Sequence, residues 1–251
     1  RDNADFNVNY TDKQHGFAGT STSDFAEDDA HNIWIASEPG LIKYDGYHYY
    51  RYGQTKQFPA NEINSLVFDG QKRLWIATAK GLYYMQHDSL YAVSGRDIDF
   101  PNLYCFKVQE DKQHRIWVST KQNGAICIIQ NKMQVYDTRC GLPNNYAFNT
   151  FIDKHNNIYI ALWNSGIVII QPDKMLNMFA SMDGPTVGIS IIRSFVEDEK
   201  GIWMGPYTNG FLSMQPQDTI QYTINGRYSD RIFDMKKAPN GLWLSIYGWG
   251  L

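Results

Sequence analysis

The chain has 251 residues, a net charge of −3, 43% hydrophobic residues and 15% aromatic residues. This composition excludes a disordered chain, because it supplies enough large apolar side chains for an extended core. Lys and Arg are scattered singly rather than gathered in a basic stripe, which argues against nucleic acid as a partner. The longest apolar runs, such as residues 166–170, have the length of a strand, so we expect that this segment does not span a membrane.

A short aromatic string recurs along the chain, beginning with Ile33-Trp34-Ile35-Ala36-Ser37. It has six copies, whose central aromatic residues are separated by 41, 42, 42, 44 and 40 residues. The central residues are Trp34, Trp75, Trp117, Tyr159, Trp203 and Trp243. A fixed period of this size is typical of repeat architectures.

Each copy predicts four short strands, A to D. In the second copy we expect strand A at 64–69, strand B at 73–78, strand C at 81–86 and strand D at 89–93. Four strands in about 42 residues are typical of the blade of a β-propeller. The predicted fold is therefore all-β: residues 1–251 form part of a single propeller of four-stranded blades, with about six repeats of an expected seven. The blades are expected at 23–60, 61–101, 102–143, 144–187, 188–227 and, incomplete, 228–251.

Three kinds of residue flank strand B in these copies. We expect the central aromatic residue to pack between neighbouring blades and the Gly after strand B to supply positive φ or a close approach of the chain. An acid about six positions before the aromatic residue is interpreted as a turn former. The dipeptides Asp69-Gly70 and Asn240-Gly241 are predicted to form hairpin turns. The acids are Asp28, Asp69, Asp111, Asp153 and Asp198, and the sixth copy has Lys237 nearby instead.

The second copy, from Asp69 through Leu-Trp-Ile-Ala-Thr to Gly81-Leu82, resembles the two-component regulator propeller repeat. The first copy, with Trp34 and Tyr44-Asp45-Gly46, is similar to it too, whereas copies four to six depart, with Tyr159 in place of Trp. The resemblance implies the periplasmic sensor region of an inner-membrane hybrid histidine kinase of the Bacteroidetes type, a homodimer that responds to oligosaccharides. Since the chain stops at Gly250-Leu251 after a strand B, we expect a fragment of a longer protein.

A ligand-binding surface follows from the order of the strands. The loop between strands B and C and the loop that leads into strand A should emerge on the same face, where aromatic rings can stack on a sugar and polar groups can bind its hydroxyls. For Trp163, packing against the adjacent loop remains an alternative to ligand contact. The predicted ligand-binding residues are Trp163, Asn164, Tyr207, Asn209, Tyr247, Trp249, Tyr104, Tyr146, Arg193 and Arg231.

The sequence predicts no catalytic residue, metal site or cofactor. It contains no nucleophile elbow, no His-Glu-x-x-His and no phosphate-binding Gly loop, and His114 and His155 are expected in equivalent turns on the opposite face. Cys105, Cys127 and Cys140 lack metal-site spacing, so two buried thiols and one loop thiol are expected. A lyase or hydrolase acting on a polysaccharide and a protein-interaction scaffold remain the alternatives to an oligosaccharide sensor.

Overall fold

Short runs of β-branched and aromatic residues, separated by polar turns, form a succession of antiparallel sheets. The structure is a computed structural model, and it describes residues 21–38, 40–52, 62–95, 98–130, 132–171, 174–178, 191–207, 210–215, 219–222, 231–239 and 241–246. The strands are β1 (Ser21–Glu27), β2 (Ile33–Glu38), β3 (Gly40–Tyr44), β4 (Tyr49–Tyr52), β5 (Ile63–Phe68), β6 (Leu74–Thr78), β7 (Gly81–Gln86), β8 (Ser89–Ala92), β9 (Cys105–Glu110), β10 (Ile116–Thr120), β11 (Ala125–Ile129), β12 (Lys132–Tyr136), β13 (Ala147–Ile152), β14 (Ile158–Leu162), β15 (Ile167–Gln171), β16 (Lys174–Met178), β17 (Ile192–Glu197), β18 (Ile202–Pro206), β19 (Phe211–Met214), β20 (Thr219–Tyr222), β21 (Ile232–Ala238) and β22 (Gly241–Ile246).

The strands pair in chain order, so that each group of four makes one antiparallel sheet, and β21 and β22 make a two-stranded sheet. Two short 3₁₀ helices, Phe100–Asn102 and Thr138–Cys140, lie in the connections before β9 and β13. The first strands of neighbouring sheets contact one another, as β5 does with β9. This places each strand A innermost and confirms the predicted all-β propeller architecture.

The core lies between the sheets. The central aromatic residue of the repeat is buried in the first five sheets; Trp117, for example, is fully buried, with Ile158 and Ile160 of the next sheet in the same cluster. The prediction that this residue packs between blades is therefore confirmed for those five copies. It is not tested at Trp243, because no described sheet lies on that side of β22, and the ring there is 52% exposed.

The acid before strand B does more than form a turn. The Asp111 carboxylate accepts hydrogen bonds from the backbone N–H groups of Gln113 and Arg115 at 2.9 and 3.0 Å, from Arg115 Nε at 2.5 Å and from Trp117 Nε1 at 2.8 Å. Each of the other four acids likewise accepts a hydrogen bond from the aromatic residue of its own repeat. The predicted turn role is confirmed, and the same carboxylate fixes the indole that packs in the core.

The turn around Asp69-Gly70 differs from the predicted hairpin dipeptide. Phe68 pairs with Leu74, so the turn has five residues, and its left-handed position is Lys72 at φ 63°. A Cβ on Gly70 would lie 2.9 Å from the ring of His114 in the next sheet, so this exposed ring would have to shift. The predicted glycine after strand B is confirmed at Gly124, where φ is +66° and a Cβ would lie 2.0 Å from the Tyr136 carbonyl oxygen.

Cys105 and Cys127 are buried and Cys140 is exposed, as predicted, and all three are free thiols. Burial raises the pKa of the Cys105 thiol to about 12 and that of the Cys127 thiol to about 11. Within the described ranges, no helix has the length and apolar character that crossing a bilayer requires.

Candidate ligand-binding face

In the second to fifth sheets, two loops build one end of the sheet, and hydrogen bonds tie these loops together. The residue after strand B donates its backbone N–H to the carbonyl of the residue before strand A. The donor and acceptor residues are Ala79 and Glu62 (3.0 Å), Lys121 and Tyr104 (3.0 Å), Trp163 and Tyr146 (2.9 Å), and Tyr207 and Ile191 (2.8 Å). The two loops thus emerge at one end of the sheets, as predicted, and we call this end the loop face.

Every strand A carries a β-bulge near the loop face. In each of the six sheets the register between strands A and B shifts by one residue at the same position. The bulged residues are Ser23, Asn64, Phe106, Phe148, Arg193 and Phe233. A bulge leaves its extra residue outside the ladder and re-aims its side chain, so these six side chains are presented along the innermost strands.

The bulged aromatic residues and the loop aromatics form two groups of touching rings, which we together call the aromatic arc: Tyr104, Phe106, Tyr146, Phe148 and Trp163 in the first group, and Tyr207 and Phe233 in the second. The Phe106 ring stacks on that of Tyr146 with 5.4 Å between centroids and lies 5.0 Å from that of Phe148. Tyr146 in turn stacks on Trp163 at 4.9 Å. Offset stacking at these distances makes a continuous apolar surface with polar edges.

Arg193 joins the two halves of the aromatic arc. Its guanidinium carbon lies 5.6 Å from the Phe148 ring centroid, 4.8 Å from that of Tyr207 and 4.9 Å from that of Phe233. The guanidinium carbon of Arg231 lies 5.0 Å from the opposite side of this cluster, at Tyr207. Removal from water lowers the pKa of Arg193, although the guanidinium stays charged.

The start of the arc has a different polarity. The Tyr104 hydroxyl donates a hydrogen bond to the Glu62 carboxylate, and Lys121 Nζ lies 5.7 Å from the Tyr104 ring. Burial, followed by the bond to Glu62, raises the pKa of Tyr104, so this hydroxyl remains a donor at neutral pH. Further along the innermost strands, Lys107 Nζ pairs with Asp24 at 3.0 Å. Here the positive charge of Lys107 has a carboxylate partner.

The structure brings together six of the ten residues predicted from sequence: Tyr104, Tyr146, Trp163, Arg193, Tyr207 and Arg231. Trp163 stacks on Tyr146 of the adjacent loop and remains 37% exposed, so its packing is confirmed and its contact with a ligand stays a prediction. Asn164 is exposed at the tip of its loop, with φ 51°, a conformation that Asn adopts more readily than most residues. Asn209, Tyr247 and Trp249 lie outside the described residues.

Sequence reasoning missed Phe106, Phe148 and Phe233. All three were placed within strands, where alternation assigns each side chain to one face or the other. Alignment of the repeats carries the signal that could have found them. The position that is Phe in three copies is Ser23, Asn64 or Arg193 in the other three, and such polar residues indicate a position outside the core. Phe233 is 39% exposed.

The opposite end of the sheets, formed by the A–B and C–D turns, is called the turn face. His31, His114 and His155 lie in A–B turns, and His48 and His87 lie in C–D turns. In the described part of the chain, no three His, Cys, Asp or Glu side chains are grouped as metal ligands. A cleft of about 320 Å³ lies on this face between the first two sheets, and its lining includes Asp28 and Asp69, whose carboxylates already bind Trp34 and Trp75.

Residues 57–80 match the family model described as "Two component regulator propeller". This confirms the resemblance inferred from the second copy of the motif. No curated protein matches the chain significantly.

The propeller architecture recurs in solved structures. The extracellular domain of a protein described as a hybrid two component system from B. thetaiotaomicron has a TM-score of 0.76 and 22% identity, covering 92% of this chain and 31% of that one. A second extracellular domain with the same description, from the same organism, has a TM-score of 0.54 and 20% identity, covering 96% and 32%. Virginiamycin B lyase from Staphylococcus aureus has a TM-score of 0.71 and 14% identity, covering 90% and 77%. At these identities the likeness shows the fold, and the chain spans about a third of the length of the first two proteins.

Proposed function

We propose that this chain is part of the extracytoplasmic, ligand-sensing region of a bacterial two component sensor kinase, and that the aromatic arc binds an oligosaccharide. The observation that carries the proposal is the arc itself. Seven aromatic side chains from neighbouring sheets lie at one end of the innermost strands. Three of their rings contact Arg193.

Sugar binding suits this surface for a chemical reason. The apolar face of a pyranose ring stacks on an aromatic ring, while its hydroxyl groups need paired donors and acceptors. Trp163 offers an exposed ring that is already held by Tyr146, so little side-chain entropy is lost on binding. Glu62 and the Tyr104 hydroxyl supply polar groups at the other end of the arc.

Signalling would follow from a difference in affinity. We propose that the full-length protein is a periplasmic homodimer anchored in the inner membrane, and that the ligand binds one of its two arrangements more tightly than the other. A ligand can shift that equilibrium only by this difference in affinity. The resemblance of residues 57–80 to the two component regulator propeller repeat supports the assignment to a sensor.

A thermal-shift screen of the protein against plant, host and microbial oligosaccharides tests the proposal. At 100 times its dissociation constant, a ligand should add about 2.7 kcal/mol to the free energy of unfolding. We expect Trp163→Ala to abolish the shift and Tyr47→Ala, which removes an 87% exposed aromatic ring from a C–D turn, to preserve it. If no oligosaccharide raises the melting temperature of the folded protein, direct sugar sensing is wrong.

We propose that the chain is not an enzyme, although one structural relative is a lyase. The five described histidines all belong to turns at the turn face, away from the aromatic arc, so none is placed to transfer a proton to a ligand there. Incubation of the protein with an oligosaccharide that it binds should leave the sugar chain intact by mass spectrometry. Cleavage that Trp163→Ala abolishes would instead support the lyase or hydrolase alternative.

A further inference from the structure

The guanidinium of Arg193 has an unusual environment for a cation. Three aromatic rings, those of Phe148, Tyr207 and Phe233, lie within 4.8 to 5.6 Å of its central carbon. Ring contacts of this kind use the flat faces of the guanidinium, whereas its hydrogen-bond donors point outward in its plane. The rings therefore position the group without satisfying its N–H donors.

Those donors lack acceptors in the part of the chain that the structure describes. Arg193 Nε is buried and has no hydrogen-bond partner there, and no carboxylate in those residues lies within ion-pair distance of the side chain. Asp234 on the neighbouring strand A pairs with Lys236 at 3.5 Å and accepts a hydrogen bond from the Met235 N–H. This differs from Arg73 and Arg115, each of which pairs with the acid of its own turn.

The backbone holds Arg193 in this place. Its carbonyl accepts a hydrogen bond from Asn149 Nδ2 of the preceding sheet at 2.6 Å, and its bulged position frees it from the ladder. A buried charged donor without an acceptor lowers stability, since such a group keeps its desolvation cost. Arg193 as a whole is only partly buried, so its other guanidinium N–H groups can gain acceptors from a bound ligand.

We propose that Arg193 binds a negatively charged group of the ligand, the carboxylate of a uronic acid or a sulfate ester, so that the oligosaccharide recognised by the aromatic arc is acidic. This inference rests on the proposed function. Carboxylate and sulfate oxygens match the spacing of the guanidinium donors, and such charge-assisted bonds are stronger than bonds to neutral hydroxyls. Arg231, on the far side of Tyr207, adds a second positive charge at this end of the arc.

The test compares acidic oligosaccharides with neutral partners of the same length. Trigalacturonate is paired with its fully methyl-esterified form, and a sulfated chondroitin tetrasaccharide with its chemically desulfated form. Affinities of the protein are measured by isothermal titration calorimetry at 50 and 300 mM NaCl. We expect one acidic member to bind at least about tenfold more tightly than its neutralised form and to weaken as salt rises, since exposed charge interactions are screened.

Three variants locate the effect. Arg193→Gln should reduce the affinity for the acidic member about tenfold to hundredfold and remove the preference over its neutral form. Arg193→Lys keeps the charge but lacks the planar array of donors, so its affinity should fall between those of the wild type and Arg193→Gln. Arg51→Gln, an equal charge change on the exposed edge strand β4, should leave binding unchanged. Circular dichroism melting of each variant checks that it is folded.

Each outcome has a separate meaning. If neutral oligosaccharides bind as well as acidic ones and Arg193→Gln has no effect, the anion subsite is wrong while oligosaccharide sensing survives. If no oligosaccharide of either class binds, both proposals fail. The uronate and sulfate arms distinguish the two sources of negative charge, and binding by either one that requires Arg193 supports the proposal.

Discussion

Replacing Asp111 with Ala tests how the repeat is held together. The fully buried Trp117 Nε1–H would lose its acceptor, a loss of about 1–3 kcal/mol, and the two turn N–H groups would lose bonds that contribute about 1 kcal/mol each. We therefore expect Asp111→Ala to lower the free energy of unfolding by about 3–5 kcal/mol.

Urea unfolding followed by far-ultraviolet circular dichroism measures this change from the midpoint and slope of the transition. A double-mutant cycle isolates the indole contribution. In a Trp117→Phe background the donor is already gone, so Asp111→Ala should cost about 1–2 kcal/mol less than in the wild type. Trp243→Phe, at the equivalent but 52% exposed position of the last sheet, is the matched control and should change stability by less than about 0.5 kcal/mol.

Two results would refute this reasoning. A loss below about 1 kcal/mol for Asp111→Ala would mean that water satisfies the freed donors. An equal loss in the wild-type and Trp117→Phe backgrounds would mean that the carboxylate acts through the turn alone and not through the indole.

The remaining predictions concern backbone strain, thiol access and one histidine. Both Gly124 and Gly141 have positive φ, at +66° and +99°, so alanine is strained at either position. Gly124→Ala should still lower the melting temperature more than Gly141→Ala, because its Cβ would also meet the Tyr136 carbonyl oxygen at 2.0 Å, and equal shifts would contradict this. Labelling with a disulfide reagent at pH 8 should modify only the exposed Cys140 in the folded protein, because Cys105 and Cys127 are buried and their pKa values are raised. All three thiols should react after unfolding. Labelling of Cys105 or Cys127 in the folded protein would show that the sheets open. The hydrogen bond to Glu27 raises the pKa of His31 above 6.5. The pairing therefore favours folding below pH 6.5, and its effect is lost as pH rises through the raised pKa. NMR titration should find that Glu27→Gln lowers the pKa of His31.

The repeat and its core could be predicted because they depend on local patterns that recur six times. Strand C of the second sheet was placed at its observed bounds, Gly81–Gln86, since a Gly with positive φ marks its start. Strand A was misplaced by one residue, at 64–69 instead of Ile63–Phe68. The bulge at Asn64 inserts a residue into the period-two pattern, and alternation alone cannot reveal such an insertion.

The candidate site was predicted at its loops and at Arg193, and the three bulged Phe residues on the strands were missed. Tyr146 and Trp163 could be placed together because strand order puts their two loops at one end of the sheet. The contribution of Phe148 depends on a bulge, and the contact of Arg193 with three rings depends on how two neighbouring sheets are set against each other. Neither relation is a property of a single repeat.

The bulge also explains how such a face can vary while the propeller stays intact. In the second to sixth sheets the residue before the bulge, such as Cys105, Ala147, Ile192 or Ile232, is fully or almost fully buried, whereas the bulged residue next to it is partly or fully exposed. A substitution at the bulge therefore changes the ligand surface without opening a cavity in the core, which would cost several kcal/mol. On this argument Phe148→Ser should weaken ligand binding yet lower stability much less than Ala147→Ser, which would place a hydroxyl in the core. A larger loss of stability for Phe148→Ser would mean that the aromatic arc is part of the folding core and not a separate recognition surface.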